Sequence, residues 1–125
     1  MEMKTRKTVN ERKIDAPVLA LNVDAELKRL KTEPEWVTGE EDGITLAKYP
    51  HMRMVLVALR KGKSMREHKV KGPMSLLVVS GAVVLIAEKS EYRLKVRNIA
   101  TLRKAILHDV RAETDSVIML TIMAL

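Results

Sequence analysis

The sequence predicts an all-β fold preceded by a short N-terminal helix. Three observations carry this. From Gly43 onward the chain divides into about nine short runs of Val, Ile, Leu, Thr and Met, separated by turn residues at close intervals. No amphipathic helical stretch lies between those runs, and parallel strands would need crossover helices of that kind. A length of 125 residues suffices for one domain with its own core and not comfortably for two. Short strands joined by tight turns argue an antiparallel sandwich or barrel.

The elements follow in chain order. Residues 1–13 are polar and charged without periodicity; Lys4, Arg6, Lys7, Arg12 and Lys13 are set against only Glu2 and Glu11. They read as a flexible basic arm, and residues 14–125 as a single domain. Val18–Val23 is a short apolar run that would suit a covering strand. Next comes the helix: Asp24 can cap it, Leu27 and Leu30 share a face, and Glu26 and Arg29 form an i,i+3 pair. Lys28, Arg29 and Lys31 sit near its end, where the helix dipole favours cations, and Pro34 stops it. Trp36 follows in a loop carrying Gly39 and Gly43.

The strand runs begin with Ile44–Tyr49, closed by Pro50, and His51 reads as a surface turn residue. Met52–Leu59 is apolar on both faces after Arg53, which predicts burial on both sides. Met65–Val70 is next, then Ser75–Val79 and Ala82–Ala87, joined by Ser80-Gly81 as a hairpin signal. Glu91–Val96, Ile99–Leu102, Ala105–Val110 and Ser116–Met123 complete the set. In Glu91–Arg97 a strand puts Arg93, Lys95 and Arg97 on one face and the largely apolar Tyr92, Leu94 and Val96 on the other.

Composition excludes several function classes. With no Cys there is no disulfide framework, thiolate metal site or cysteine nucleophile. No apolar run approaches the 18 residues of a membrane span, and the first residues lack an apolar leader core, so a cytoplasmic protein away from membranes is expected. The net charge of +7 and the cluster Arg60, Lys61, Lys63, Arg66, Lys69 and Lys71 suit an anionic partner. Nucleic acid is the weaker candidate, because Trp36, Tyr49 and Tyr92 are the only aromatic side chains available for stacking. No Walker A loop, G-x-S-x-G or G-x-G-x-x-G is present. The eight Met residues read as adaptable core filler in a chain without Phe.

The stretch from Trp36 onward, best between Leu59 and Leu120, resembles the small single-domain cupins. The family's first motif runs G-x5-H-x-H-x(3,4)-E-x6-G. Here Gly62, His68 and Gly81 stand in place, Val70 replaces the second His, and Met74 or Ser75 falls where the Glu belongs. The second motif, G-x5-P-x-G-x2-H-x3-N, aligns with Arg97, Arg103, Ala105, His108 and Ala112, so that only its His survives. The resemblance implies a jelly-roll β-barrel, often a homodimer, and in typical members a divalent metal held by three His and one Glu. Its catalytic members are dioxygenases, isomerases or decarboxylases, and others store or merely bind.

With two of four ligand positions kept, His68 and His108 are the candidate metal ligands, and the cofactor is a weakly held divalent metal or none. Strand alternation puts Arg66 and Val70 on the face of His68, and Ile106 and Val110 on the face of His108; Glu67 and Asp109 point away. An inward Arg66 would need an anion. Arg66, His68 and His108 therefore form the candidate pocket for a small, anionic molecule. The reading is of a non-catalytic binder, with a metal-dependent oxygenase or isomerase as the alternative.

Overall fold

The computed structural model describes residues 13–68 and 71–124, with backbone alone at 66–68. Two short helices, α1 (Val23–Lys31) and α2 (Pro34–Val37), precede nine strands. These are β1 (Glu41–Tyr49), β2 (Met52–Leu59), β3 (Ser64–His68), β4 (Met74–Ser80), β5 (Ala82–Ala87), β6 (Ser90–Lys95), β7 (Ile99–Leu102), β8 (His108–Ala112) and β9 (Ser116–Met123). They build a five-stranded sheet in the order β1-β2-β9-β4-β7 and a four-stranded sheet in the order β3-β8-β5-β6. Every pairing is antiparallel. The all-β expectation with its short N-terminal helix holds, and the two sheets close face to face as a jelly roll. The basic arm expected at residues 1–13 lies outside the described residues except for Lys13.

Two apolar layers explain the sequence pattern. The inner faces of both sheets enclose one core, in which Leu59, Leu76, Val83 and Ile118 are fully buried. The outer face of the five-stranded sheet carries a second core, where Leu30 of α1 and Trp36 of α2 pack on Ile44, Leu46, Leu56 and Ala58. Strand β2 is thus covered on both sides, as its unbroken apolar run requires: Leu56, Val57, Ala58 and Leu59 are all buried.

The helical region differs from the sequence reading in three ways. Helix α1 is capped by Asn22, whose side-chain oxygen accepts from the Ala25 amide at 3.0 Å, and Asp24 lies inside its first turn. Pro34 opens α2 where a lone loop was expected; a proline needs no amide partner in a first turn, so the same residue ends one helix and begins the next. The run Val18–Val23 forms no strand. Its upstream neighbours strap the sheet instead, with Lys48 N donating to Ile14 O at 2.7 Å and Tyr49 Oη to Ala16 O at 2.9 Å.

Ser80-Gly81 is a corner, not a hairpin. Strand β4 pairs with β7 and β9, whereas β5 pairs with β6 and β8, so the chain changes sheets at Gly81. Gly81 has φ +81°, and a Cβ there would collide with Ser116 Oγ, which bonds Ala82 N and O across the corner at 3.0 Å each. A corner and a hairpin both demand a residue that tolerates positive φ, which is why the sequence signal does not separate them.

One side chain locks α2 onto the sheets. The Arg60 guanidinium stacks on the Trp36 ring, 3.7 Å from its centroid. It also donates to Trp36 O at 2.9 Å and pairs with Asp115 at 3.5 Å. Lys63 likewise is engaged by Glu40 and Glu41 at 3.8 and 3.7 Å. Two members of the basic cluster are therefore committed to intramolecular partners.

Candidate functional site

The candidate site is built on β3 and β8. Their register sets Ser64 against Arg111 and Met65 against Val110, then slips by one residue and sets His68 against His108. Along β8, His108, Val110 and Ala112 are buried, while Asp109 and Arg111 have the opposite parity, so His108 shares the face of Val110 and Ala112. On the other side His108 is the register partner of Ala87 on β5. The backbone thus brings the two histidine positions together at the start of β8.

The slip bears on Arg66. It falls between Met65 and His68, so the two-residue alternation that linked Arg66 to His68 does not run unbroken through this segment. The side chains of Arg66 and His68, and Val70 altogether, lie outside the described residues.

His108 is 4% exposed. Its Nδ1 donates to Ile106 O at 2.9 Å, a carbonyl that only accepts, so Nδ1 carries a proton. His108 lines a cleft of about 470 Å³ with Ala87, Ala105 and Leu107, in which the charged residues are Glu88, Lys89 and Asp109. The preceding loop holds Ala105 at φ +61°, a conformation that a Cβ disfavours.

Backbone angles test the motif alignment independently of residue identity. The two motif glycines that are kept, Gly62 and Gly81, have φ +83° and +81°. The two positions where the resemblance calls for glycine but finds another residue, Arg97 and Ala105, have φ +71° and +61°. Four turns thus retain the left-handed conformation that glycine serves in the motifs, although two of the glycines are gone. These angles agree with the alignment that puts His108 at the second motif's histidine.

The fold matches known structures across most of the chain. A cupin superfamily protein from Desulfitobacterium hafniense aligns at TM-score 0.66 and 14% identity over 67% of this chain and 77% of its own. This is a cupin fold. A conserved Streptococcus pyogenes protein of unknown function matches over 98% of both chains at TM-score 0.68 and 17% identity. A salicylate 1,2-dioxygenase variant from Pseudoaminobacter salicylatoxidans gives TM-score 0.76 and 14% identity over 90% of this chain, which spans only 36% of that enzyme. No family model and no curated protein matches the sequence.

The cupin metal centre can be tested against the residues present. Met74, at the position of the family's carboxylate, is 4% exposed and packed in the inner core with Leu76 and Leu102. The alternative position, Ser75, lies on the other parity of β4. Thioether and hydroxyl do not replace a carboxylate for a hard divalent ion, and Val70 offers no donor at all. The four-ligand set does not fit this chain. Two histidine positions remain, fewer than the three protein ligands a catalytic zinc site normally keeps.

A group of three acidic donors lies elsewhere. The carboxylates of Glu33, Glu35 and Asp42 come within 4.8 Å of one another at the junction of α2 and β1. A side-chain hydrogen bond to Asp42 raises the Glu33 pKa from the ordinary glutamate value, since a shared proton relieves two facing carboxylates; desolvation adds to the effect. Sequence reading missed this pair because its members sit on different elements, with no helical or strand spacing between them. Among the described residues, no helix is long and apolar enough to cross a membrane.

Proposed function

We propose that this cupin-fold protein binds a small anionic molecule in its barrel without catalysing a reaction, using the pocket of His108, His68 and Arg66. The observation that carries the reading is His108, buried at the edge of an open cleft with its tautomer set by Ile106 O. An imidazole with Nδ1 fixed by a carbonyl is held in one orientation, which gives a ligand in the cleft a preset polar wall. Missing ligands at Val70 and Met74 support binding over metal chemistry. The proposal includes a cytoplasmic homodimer, because jelly-roll sheets leave edge strands to cover.

The opposed register of His68 and His108 favours one second reading, a two-histidine divalent metal site in a metal-dependent enzyme of the oxygenase or isomerase type. Calorimetric titration with inorganic phosphate and small carboxylates tests the first reading. Arg66→Ala and His108→Gln are expected to weaken the strongest binder at least tenfold, and unchanged affinity in both variants overturns it. Metal content measured after chelator-free purification separates the second reading: near-stoichiometric metal that is lost in His68→Ala establishes the metal site and displaces the first reading.

A further inference from the structure

The barrel has a second opening, beside the one that His108 lines. Strand β7 is the edge of one sheet and β6 the edge of the other, and among the described residues no strand bridges them. Between them lies a cleft of about 420 Å³. Its floor is Leu85 and Leu102, both buried, with Leu94 and Ile106 half-buried beside them. Tyr92 stands at its mouth, 48% exposed. The charged residues at its rim are Arg103, just after β7, and Glu88, in the β5–β6 turn. Ala87, Glu88 and Ile106 also line the cleft bordered by His108, so the two openings are contiguous.

The volume suits a small molecule and is too small for a protein segment with its own fold. Thr101 and Tyr92 are the uncharged polar side chains in its lining, and the floor itself is aliphatic, so an apolar body would bury against four aliphatic side chains. The guanidinium of Arg103 is exposed at the rim next to that floor and can pair a single anionic group while the body lies inside. Glu88 is also exposed, and its carboxylate disfavours a second negative charge on the same ligand.

We propose that the ligand is an amphipathic monoanion, with an apolar body of alkyl or ring carbons in the β6–β7 cleft and one carboxylate or similar group on Arg103. The inference goes beyond the histidine pocket: it keeps a small anionic ligand in the barrel and seats its charge on Arg103 instead. It differs from a polar metabolite in one measurable respect: affinity must depend on apolar length.

The test is calorimetric titration of the full chain with butanoate, hexanoate, octanoate and decanoate below their micelle concentrations. Affinity is expected to rise about fourfold per added methylene until the cleft is filled, the factor given by ~0.8 kcal/mol per buried CH₂. Ala100→Phe places a ring in the cleft and is expected to flatten the series. Should that variant fail to fold, Tyr92→Ser, at an exposed position, is expected to weaken decanoate and leave butanoate unchanged. Arg103→Gln is expected to lower the affinity of every member by a similar factor, about fivefold for one exposed ion pair.

A flat series overturns the amphipathic class, and if His108→Gln still weakens those ligands the anionic pocket survives it. A steep series that is indifferent to both His108→Gln and Arg66→Ala upholds the cleft and overturns the histidine pocket. Absence of binding by all four overturns this proposal, and the phosphate and small-carboxylate titrations then decide the other.

Discussion

Replacing Ala105 with glycine is expected to stabilise this protein, the reverse of what removing a methyl group in a folded chain usually does. Ala105 sits at φ +61° in the loop that delivers His108. Left-handed backbone costs an L-residue about 1–2 kcal/mol, because Cβ crowds the following carbonyl oxygen, and glycine is exempt. Glycine gives back about 0.5–1 kcal/mol through the greater freedom of its unfolded chain. The net gain is about 0.5–1 kcal/mol, a rise in melting temperature of roughly 2–5 °C for a domain of this size. Ala105 is exposed, so losing its methyl group removes no core packing. Ala112 provides the opposite control: it is 1% exposed in β8, and Ala112→Gly is expected to cost about 1 kcal/mol or more. Urea unfolding followed by the fluorescence of Trp36, the only tryptophan, measures both variants. If Ala105→Gly destabilises as much as Ala112→Gly, residue 105 is not left-handed. The alignment that assigns His108 to the second motif then loses its backbone support.

Three further outcomes follow from the packing. Arg60→Ala removes a stacked cation, a charge-assisted bond to Trp36 O and an exposed ion pair, and is expected to cost about 2–3 kcal/mol by urea unfolding. Arg60→Lys, which keeps the charge without the planar fork, should recover less than half of that loss. Gly72→Ala is expected to destabilise severely, since its Cβ would overlap Met123 O, whereas Gly62→Ala, in open space at φ +83°, is expected to cost only about 1 kcal/mol of backbone strain; equal effects in a thermal melt refute the distinction. Because Asp42 raises the Glu33 pKa, the stabilisation from their shared proton is full below the ordinary carboxylate value and is lost as pH rises through the elevated one. Glu33→Gln should therefore gain stability relative to the parent between pH 4 and pH 7 in parallel melts, and a constant difference across that range refutes the shared proton.

Much of the fold was legible because strands with one buried face write it into alternate residues. Ala82–Ala87, Ile99–Leu102 and Ser116–Met123 were bounded to the residue, and the double burial of β2 followed from its unbroken apolar run. The misreadings arise where one residue serves two local structures. Pro34 both stops and starts a helix. Gly81 suits a corner as well as a hairpin, and only the pairing partners of β4 and β5, distant in sequence, decide between them. The run Ala105–Val110 looked like a strand from its first residue, but the left-handed Ala105 delays β8 to His108. Nothing in an alanine announces that angle.

The site shows where alternation itself fails. His108 could be given a direction from the sequence because β8 is regular from its first residue to its last. Arg66 could not, because the register slip between Met65 and His68 inserts one residue into the count, and a one-residue slip reverses the face of everything beyond it. A similar slip between Thr45 and Ala47 lets the neighbours Leu46 and Ala47 both be buried in β1. In β1 the burial pattern reveals the irregularity. Beside His68 the residues are charged, so the sequence carries no apolar pattern to expose it and offers Arg66 a direction that rests on counting alone. The β6–β7 cleft had the reverse fate. The alternation of Tyr92 and Leu94 against Arg93 and Lys95 was visible from the start, and it marks an apolar face that the gap between two sheet edges leaves open to a ligand.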